Sequence, residues 1–161
     1  MLVASASRHG ATREIAEAIA AELREAGHEV EDRPVEEVDG IDGYDAVVLG
    51  SAVYVGRWLP PARELVQERA EALSRRPVWL FSSGPVGDPP RPEGDAAVDV
   101  SEIATAVGAR EHRIFPGRLD RAELGLRERA IVKVVGAQEG DARDWEAVGA
   151  WARGIAQALR G

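Results

Sequence analysis

The chain has no cysteine among its 161 residues, which excludes disulfides, thiolate metal sites and a catalytic thiol together. No apolar run approaches the ~20 residues that a membrane-spanning helix needs. No charged-then-apolar leader opens the chain, so a cytoplasmic protein is the expectation. Basic residues are not in excess. The 20 Lys and Arg stand against 28 Asp and Glu, a net charge of −8. Phosphate backbones are held by basic faces, so no nucleic-acid partner is expected. The acidic surface suits solubility or docking to a basic partner, and charge alone does not separate the two. The three histidines, His9, His28 and His112, lie far apart without an i, i+4 pair, so no metal site is expected. Both familiar nucleotide loops are also missing. There is no Gly-Lys-Ser/Thr ending, which argues against a nucleoside triphosphatase, and no GxGxxG, which argues against a standard dinucleotide fold.

What the chain does carry begins at its N-terminus. Leu2 to Ala6 reads as a strand, and Arg13 to Ala26 as an amphipathic helix, with Ile15, Ile19 and Leu23 every four residues and Gly27 as its stop. Between them stand Ser7, Arg8, His9, Gly10, Ala11 and Thr12. Backbone N–H groups of such a turn and of a helix's first turn converge on one anion, and Ser7 and Thr12 add hydroxyl donors. Gly10 permits a close approach or a positive φ. Ser and Thr also cap helices without any ligand, so the loop alone admits both readings.

The remaining chain alternates apolar runs with helical patterns. Strands are expected at His28–Val35, Ala46–Gly50, Pro77–Phe81 and Arg110–Phe115, and helices at Pro60–Leu73, Val98–Val107 and Ala142–Leu159. In the last helix Trp145, Val148, Ala152, Ile155 and Leu159 share one face and read as core, Trp145 included. Val86 to Asp95 is proline-rich and reads as a loop, and Glu36, Glu37 and Asp39 as a solvated acidic face. Five strands alternating with helices imply a single α/β domain over residues 1–161, a doubly wound parallel sheet with right-handed crossovers. Ligands of such sheets bind beyond the carboxyl ends of the strands. The turns expected at that edge are Ser7 to Thr12, Ser51 to Trp58 and Ser82 to Asp88. Together they offer a phosphate cradle, an aromatic pair beside a glycine, and a polar glycine-containing turn. A flat heteroaromatic ring with a phosphate tail uses all three.

The motifs resemble the flavodoxin superfamily over nearly the whole chain. Ser7, Gly10 and Thr12 match a Ser/Thr-x-Ser/Thr-Gly-x-Thr loop, with His9 where a second hydroxyl is usual. Ser7 through Ala16, the Gly50 to Gly56 turn and Asp144 to Val148 resemble the flavodoxin-domain subgroup that includes menaquinone-dependent protoporphyrinogen oxidase. The resemblance implies a five-stranded parallel sheet in the order 2-1-3-4-5 with helices on both faces, and FMN as cofactor. Ser7 and Thr12 with the backbone from Arg8 to Thr12 would hold the phosphate. Arg8 is expected to project into water, and His9 adds charge to the loop when protonated below about pH 6.5. Tyr54 would stack on the ring with Trp58 as second choice, beside Ala52 and Val53. Backbone near Val55 and Gly56 would meet the N5 edge of the flavin, and Ser82, Ser83, Gly84, Val86 and Gly87 its other sides.

Three functions follow from the resemblance. The first is an FMN-binding redox protein serving a partner protein or a small electron acceptor. The second is an oxidase of the protoporphyrinogen type, and the third an interaction module without flavin. No catalytic acid or base is identifiable. The membrane-associated oxidase has an aromatic, basic segment before its final helix. Here Arg118 to Asp141 is mixed in charge and has no aromatic residue, so membrane association is not expected. Its apolar residues Leu119, Leu124, Leu126, Ile131, Val134 and Val135 read as a helix packed on the protein.

Overall fold

The computed structural model describes residues 1–54, 56–84, 100–116, 118–119, 140–141 and 143–160. Five strands form a parallel sheet: β1 (Leu2–Ala6), β2 (Glu31–Pro34), β3 (Val47–Tyr54), β5 (Val78–Ser83) and β6 (Glu111–Phe115), in the spatial order β2-β1-β3-β5-β6. A two-residue strand, β4 (Arg57–Trp58), turns back antiparallel on β3. Without that return the order is the expected 2-1-3-4-5. A second small pairing joins β7 (Arg118–Leu119) to β8 (Gly140–Asp141). The helices are α1 (Ala11–Glu25), α2 (Pro60–Ser74), α3 (Val100–Val107) and α4 (Trp145–Arg160). The expected helix between Arg118 and Asp141 and the proline-rich stretch Val86–Asp95 lie outside the described residues.

Strand side chains alternate across the sheet and so build two cores. Leu2, Leu49, Leu80 and Trp58 face α2 and α3, with Leu65, Val66 and Ile103. Val3, Val48, Trp79 and Phe81 face α1 and α4, with Ile15, Ile19, Trp151 and Ile155. Full burial on both faces explains why the central strands read as continuous apolar runs. Pro34 closes β2, which is tolerated because β2 is an edge strand and needs no second ladder. β2 begins at Glu31 rather than His28 because its partner β1 begins at Leu2, the residue opposite.

Three packing features depart from the sequence reading. β3 runs on to Tyr54, and with β4 forms a hairpin where a loop was expected. Trp145 is not core. It is 45% exposed, as the first residue of α4 beyond the apolar cluster, and the Arg143 guanidinium lies 4.6 Å from its ring centre. Gly50, which the family resemblance placed at the head of the turn, lies in β3 and serves the core. A methyl group built on it would fall inside the ring of Phe81, which is wholly buried. That ring packs against Phe115 and Trp151, each at a centroid distance of 6.2 Å.

Candidate functional site

The register brings the ends of three strands together. Ala6 lies opposite Ser51, and Ser51 and Ala52 lie opposite Ser82 and Ser83. The turns that follow β1, β3 and β5 therefore leave the same edge of the sheet.

After β1 the chain forms a preformed cradle. The Gly10 N–H donates to Ser7 Oγ at 3.0 Å, folding the loop on itself. Ser7 keeps its hydroxyl hydrogen for another acceptor. Gly10 caps α1 at φ 88°, with no side-chain cap, and nothing lies within 4 Å of where its Cβ would stand. A left-handed φ is open to glycine at little cost and strained for most other residues. The first bond of the helix runs from Glu14 N to Gly10 O at 3.0 Å. The N–H groups of Ala11, Thr12 and Arg13 consequently have no acceptor within the helix, and the positive end of its dipole faces the same way. Ala11 already opens the helix, two residues before the expected start, and Thr12 is buried in its first turn.

Arg8 is exposed, as expected, and its guanidinium also lies over the Tyr54 ring, 4.5 Å from the ring centre. This cation–π contact joins the turn after β1 to the only aromatic ring standing at the mouth of the β3–β4 hairpin among the described residues. His9 beside it is half-buried. A further anchor was not read from the sequence: Arg143, 6% exposed, pairs with Glu14 in the first turn of α1. It ties the start of α4 to the first turn of α1.

The hairpin carries Ala52, Val53 and Tyr54, all half-buried, and Gly56 at φ 73°. Val55 lies outside the described residues. Trp58 is corrected by the structure. At 1% exposure its indole has no face open to a ligand, and its Nε1–H donates to Ser82 Oγ at 2.8 Å. Ser51, not singled out in the sequence, accepts the Leu59 N–H at 3.0 Å through its own hydroxyl. Arg63 donates to the Trp58 carbonyl at 3.1 Å. The hairpin is thus fastened at its root.

After β5, Ser82 and Ser83 are buried rather than lining an open surface. The Ser82 hydroxyl is engaged inside the protein, by Trp58 and by His112 Nε2 at 2.7 Å. Burial holds the His112 pKa below the ordinary histidine value. Gly84 turns the chain at φ 88° and donates to the Phe115 carbonyl at 3.0 Å. Val86 and Gly87 lie outside the described residues. Among the described residues no helix is long and apolar enough to cross a membrane.

A family profile described as a flavodoxin domain matches residues 2–145. Over 169 aligned positions the chain is 26% identical to protoporphyrinogen IX dehydrogenase [quinone] of Escherichia coli K12, covering 96% of this chain and 93% of that protein. Among solved structures it is similar to oxidised flavodoxin 2 from Bacillus cereus. The TM-score is 0.65 at 23% identity, over 99% of this chain and 98% of that one. A flavodoxin from the domain Archaea gives a TM-score of 0.65 at 16% identity, over 99% and 98% of the two chains. At these identities the structural likeness speaks for the fold.

Proposed function

The chain belongs to the flavodoxin-domain family, and from that premise we propose that it binds FMN at the edge formed by the turns after β1, β3 and β5 and acts as a redox protein. The observation that carries the reading is one juxtaposition. An anion cradle with left-handed Gly10 and the unbonded N–H groups of the first turn of α1 stands beside an aromatic face, linked to it by Arg8 over Tyr54 at 4.5 Å. A ligand with a phosphate at one end and an electron-poor planar ring at the other matches both.

Ser7, His9, Gly10, Ala11 and Thr12 would hold the phosphate, with the Arg8 charge at the joint between phosphate and ring. Tyr54 would cover one ring face, and Ala52, Val53, Val55 and Gly56 its edge. Gly84, and beyond it Val86 and Gly87, would close the other side through backbone groups. Ser82 and Trp58 support this arrangement from inside. When bound, FMN supplies one- and two-electron transfer, and the protein supplies binding and orientation. The donor is a redox partner protein or small reductant, and the acceptor a partner or small molecule. A cytoplasmic location is part of the same reading.

The E. coli relative favours a second reading, an oxidoreductase that passes electrons from a reduced porphyrinogen to a quinone, since the aligned region spans nearly all of both chains. Two measurements separate the readings. The purified protein, stripped and titrated with FMN, should quench flavin fluorescence to saturation; a protein that takes up no FMN overturns both and leaves an interaction module. Protoporphyrinogen with menadione as acceptor then distinguishes the enzyme from a carrier, because only the enzyme turns over.

A further inference from the structure

A chain of hydrogen bonds runs from the root of the β3–β4 hairpin to the far edge strand: Trp58 Nε1 to Ser82 Oγ at 2.8 Å, and Ser82 Oγ to His112 Nε2 at 2.7 Å. Its first step has a direction fixed by chemistry. An indole N–H only donates, so Ser82 Oγ accepts from Trp58. Among the described residues the hydroxyl hydrogen of Ser82 has one acceptor, His112 Nε2. A serine that donates there meets a bare nitrogen, which corresponds to a neutral His112 with its proton on Nδ1.

The surroundings favour this state. His112 lies opposite Leu80, whose side chain shares the core that holds Trp58. β5 offers no ionisable residue. On its own strand Glu111 and Arg113 point to the other face and pair with each other at 2.7 Å. From α2 Arg63 is occupied at the Trp58 carbonyl, while Glu102 of α3 and Arg57 of β4 are exposed. Among the described residues none of these charges lies within ion-pair distance of the imidazole.

We propose that His112 is a positioning residue for the candidate flavin site: acting through Ser82 and Trp58, it holds the hairpin that presents Tyr54 and Gly56. This rests on the FMN reading above. A proton on Nε2 would turn an acceptor into a second donor facing Ser82 Oγ, strip the hydroxyl hydrogen of its partner, and loosen Trp58 at the root of the hairpin. His112 never touches the ligand; its effect reaches the site through the backbone of β4.

The test compares FMN dissociation constants for the wild type, His112→Leu and His112→Gln between about pH 5 and 8, read by flavin fluorescence, with circular dichroism confirming that each variant is folded. The FMN phosphate titrates alike in all three proteins, so the difference between proteins is the readout. His112→Leu should bind FMN roughly five-fold more weakly at neutral pH, as loss of one buried hydrogen bond implies. The gap should close as the wild type is acidified. His112→Gln, whose side-chain oxygen accepts from Ser82, should recover neutral-pH affinity without that acid-side change. Identical affinities and profiles in the wild type and His112→Leu would overturn the proposal while leaving FMN binding intact. A second measurement needs no variant and no ligand: nitrogen-15 shifts of the His112 ring at neutral pH should show the proton on Nδ1. A proton on Nε2 overturns the proposed wiring. A wild type that takes up no FMN overturns both the flavin reading and the positioning role.

Discussion

Adding one methyl group at Gly50 separates a glycine kept for packing from one kept for a ligand. The Cβ of Gly50→Ala would overlap the far end of the Phe81 ring, far inside the roughly 3.5 Å of ordinary carbon contact. Phe81 cannot simply turn away, because Phe115 and Trp151 each hold it at 6.2 Å between ring centres. Overpacking of this kind costs about 1–3 kcal/mol, and a full ring overlap belongs at the upper end. The reduced freedom of the unfolded chain returns about 0.5–1 kcal/mol. The net expectation is a loss of about 2 kcal/mol. In urea, with a slope of roughly 1–3 kcal/mol/M, the midpoint should fall by about 1 M. Shrinking the ring should relieve the clash, so Gly50→Ala combined with Phe81→Leu should be less destabilised than the sum of the two changes, by at least about 0.5 kcal/mol. Folded Gly50→Ala should still bind FMN. An unchanged midpoint, or strict additivity with Phe81→Leu, would refute the account of this glycine.

Other expectations follow from the site and its surroundings. Ser7→Ala and Thr12→Ala should each weaken FMN binding by roughly 1–3 kcal/mol through lost charge-assisted hydrogen bonds; affinity unchanged from the wild type in both, by titration calorimetry, would move the phosphate elsewhere. Tyr54→Ala should shift the flavin's midpoint potential, while Tyr54→Phe, which keeps the ring face, should shift it far less. Arg8→Met should cost under about 1 kcal/mol of FMN affinity and flatten its salt dependence, and an unaltered salt dependence would deny Arg8 a role at the site. Asp32 on β2 has its pKa raised, first by burial and then by Glu17. Its folded form therefore holds the proton more tightly than the unfolded form, and stability falls as pH rises from the ordinary 3.8 through the raised value. Asp32→Asn should stabilise the protein at pH 7 and lose that advantage near about pH 3.5 in urea melts; a gain independent of pH would contradict this.

The parts of the fold legible in the sequence are those whose signal is local. β1 ends where its apolar run ends, and α1 shows its buried face through Ile15, Ile19 and Leu23. The tight turn into α1 was legible because a glycine at a helix start marks a positive φ by itself. The hairpin was not, because Ser51, Ala52, Val53 and Tyr54 alternate weakly and the strand that pairs with Val53 and Tyr54, Arg57–Trp58, is two residues long. Trp58 and Ser82 looked like ligand contacts because both stand at the right edge. Only the tertiary bond between residues 24 apart in sequence shows that they satisfy each other in the interior. Trp145 followed the apolar period of α4 but lies past the end of the surface that period covers. Arg8 is solvated, as a long cation in a loop ordinarily is, but nothing in the local sequence announces that Tyr54 will stand under it.

The most direct test of the central claim is a map of amide shifts in nitrogen-15-labelled protein as FMN is added. Binding at the proposed edge should move Ser7, Gly10, Ala11 and Thr12 together with Tyr54, Gly56 and Gly84, in one saturable step. The open hollow of about 430 Å³ beside β2, lined by Glu31, Arg33 and Tyr44, should stay silent. Shifts confined to that hollow, or none at the Gly10 cradle at saturating FMN, would contradict the account.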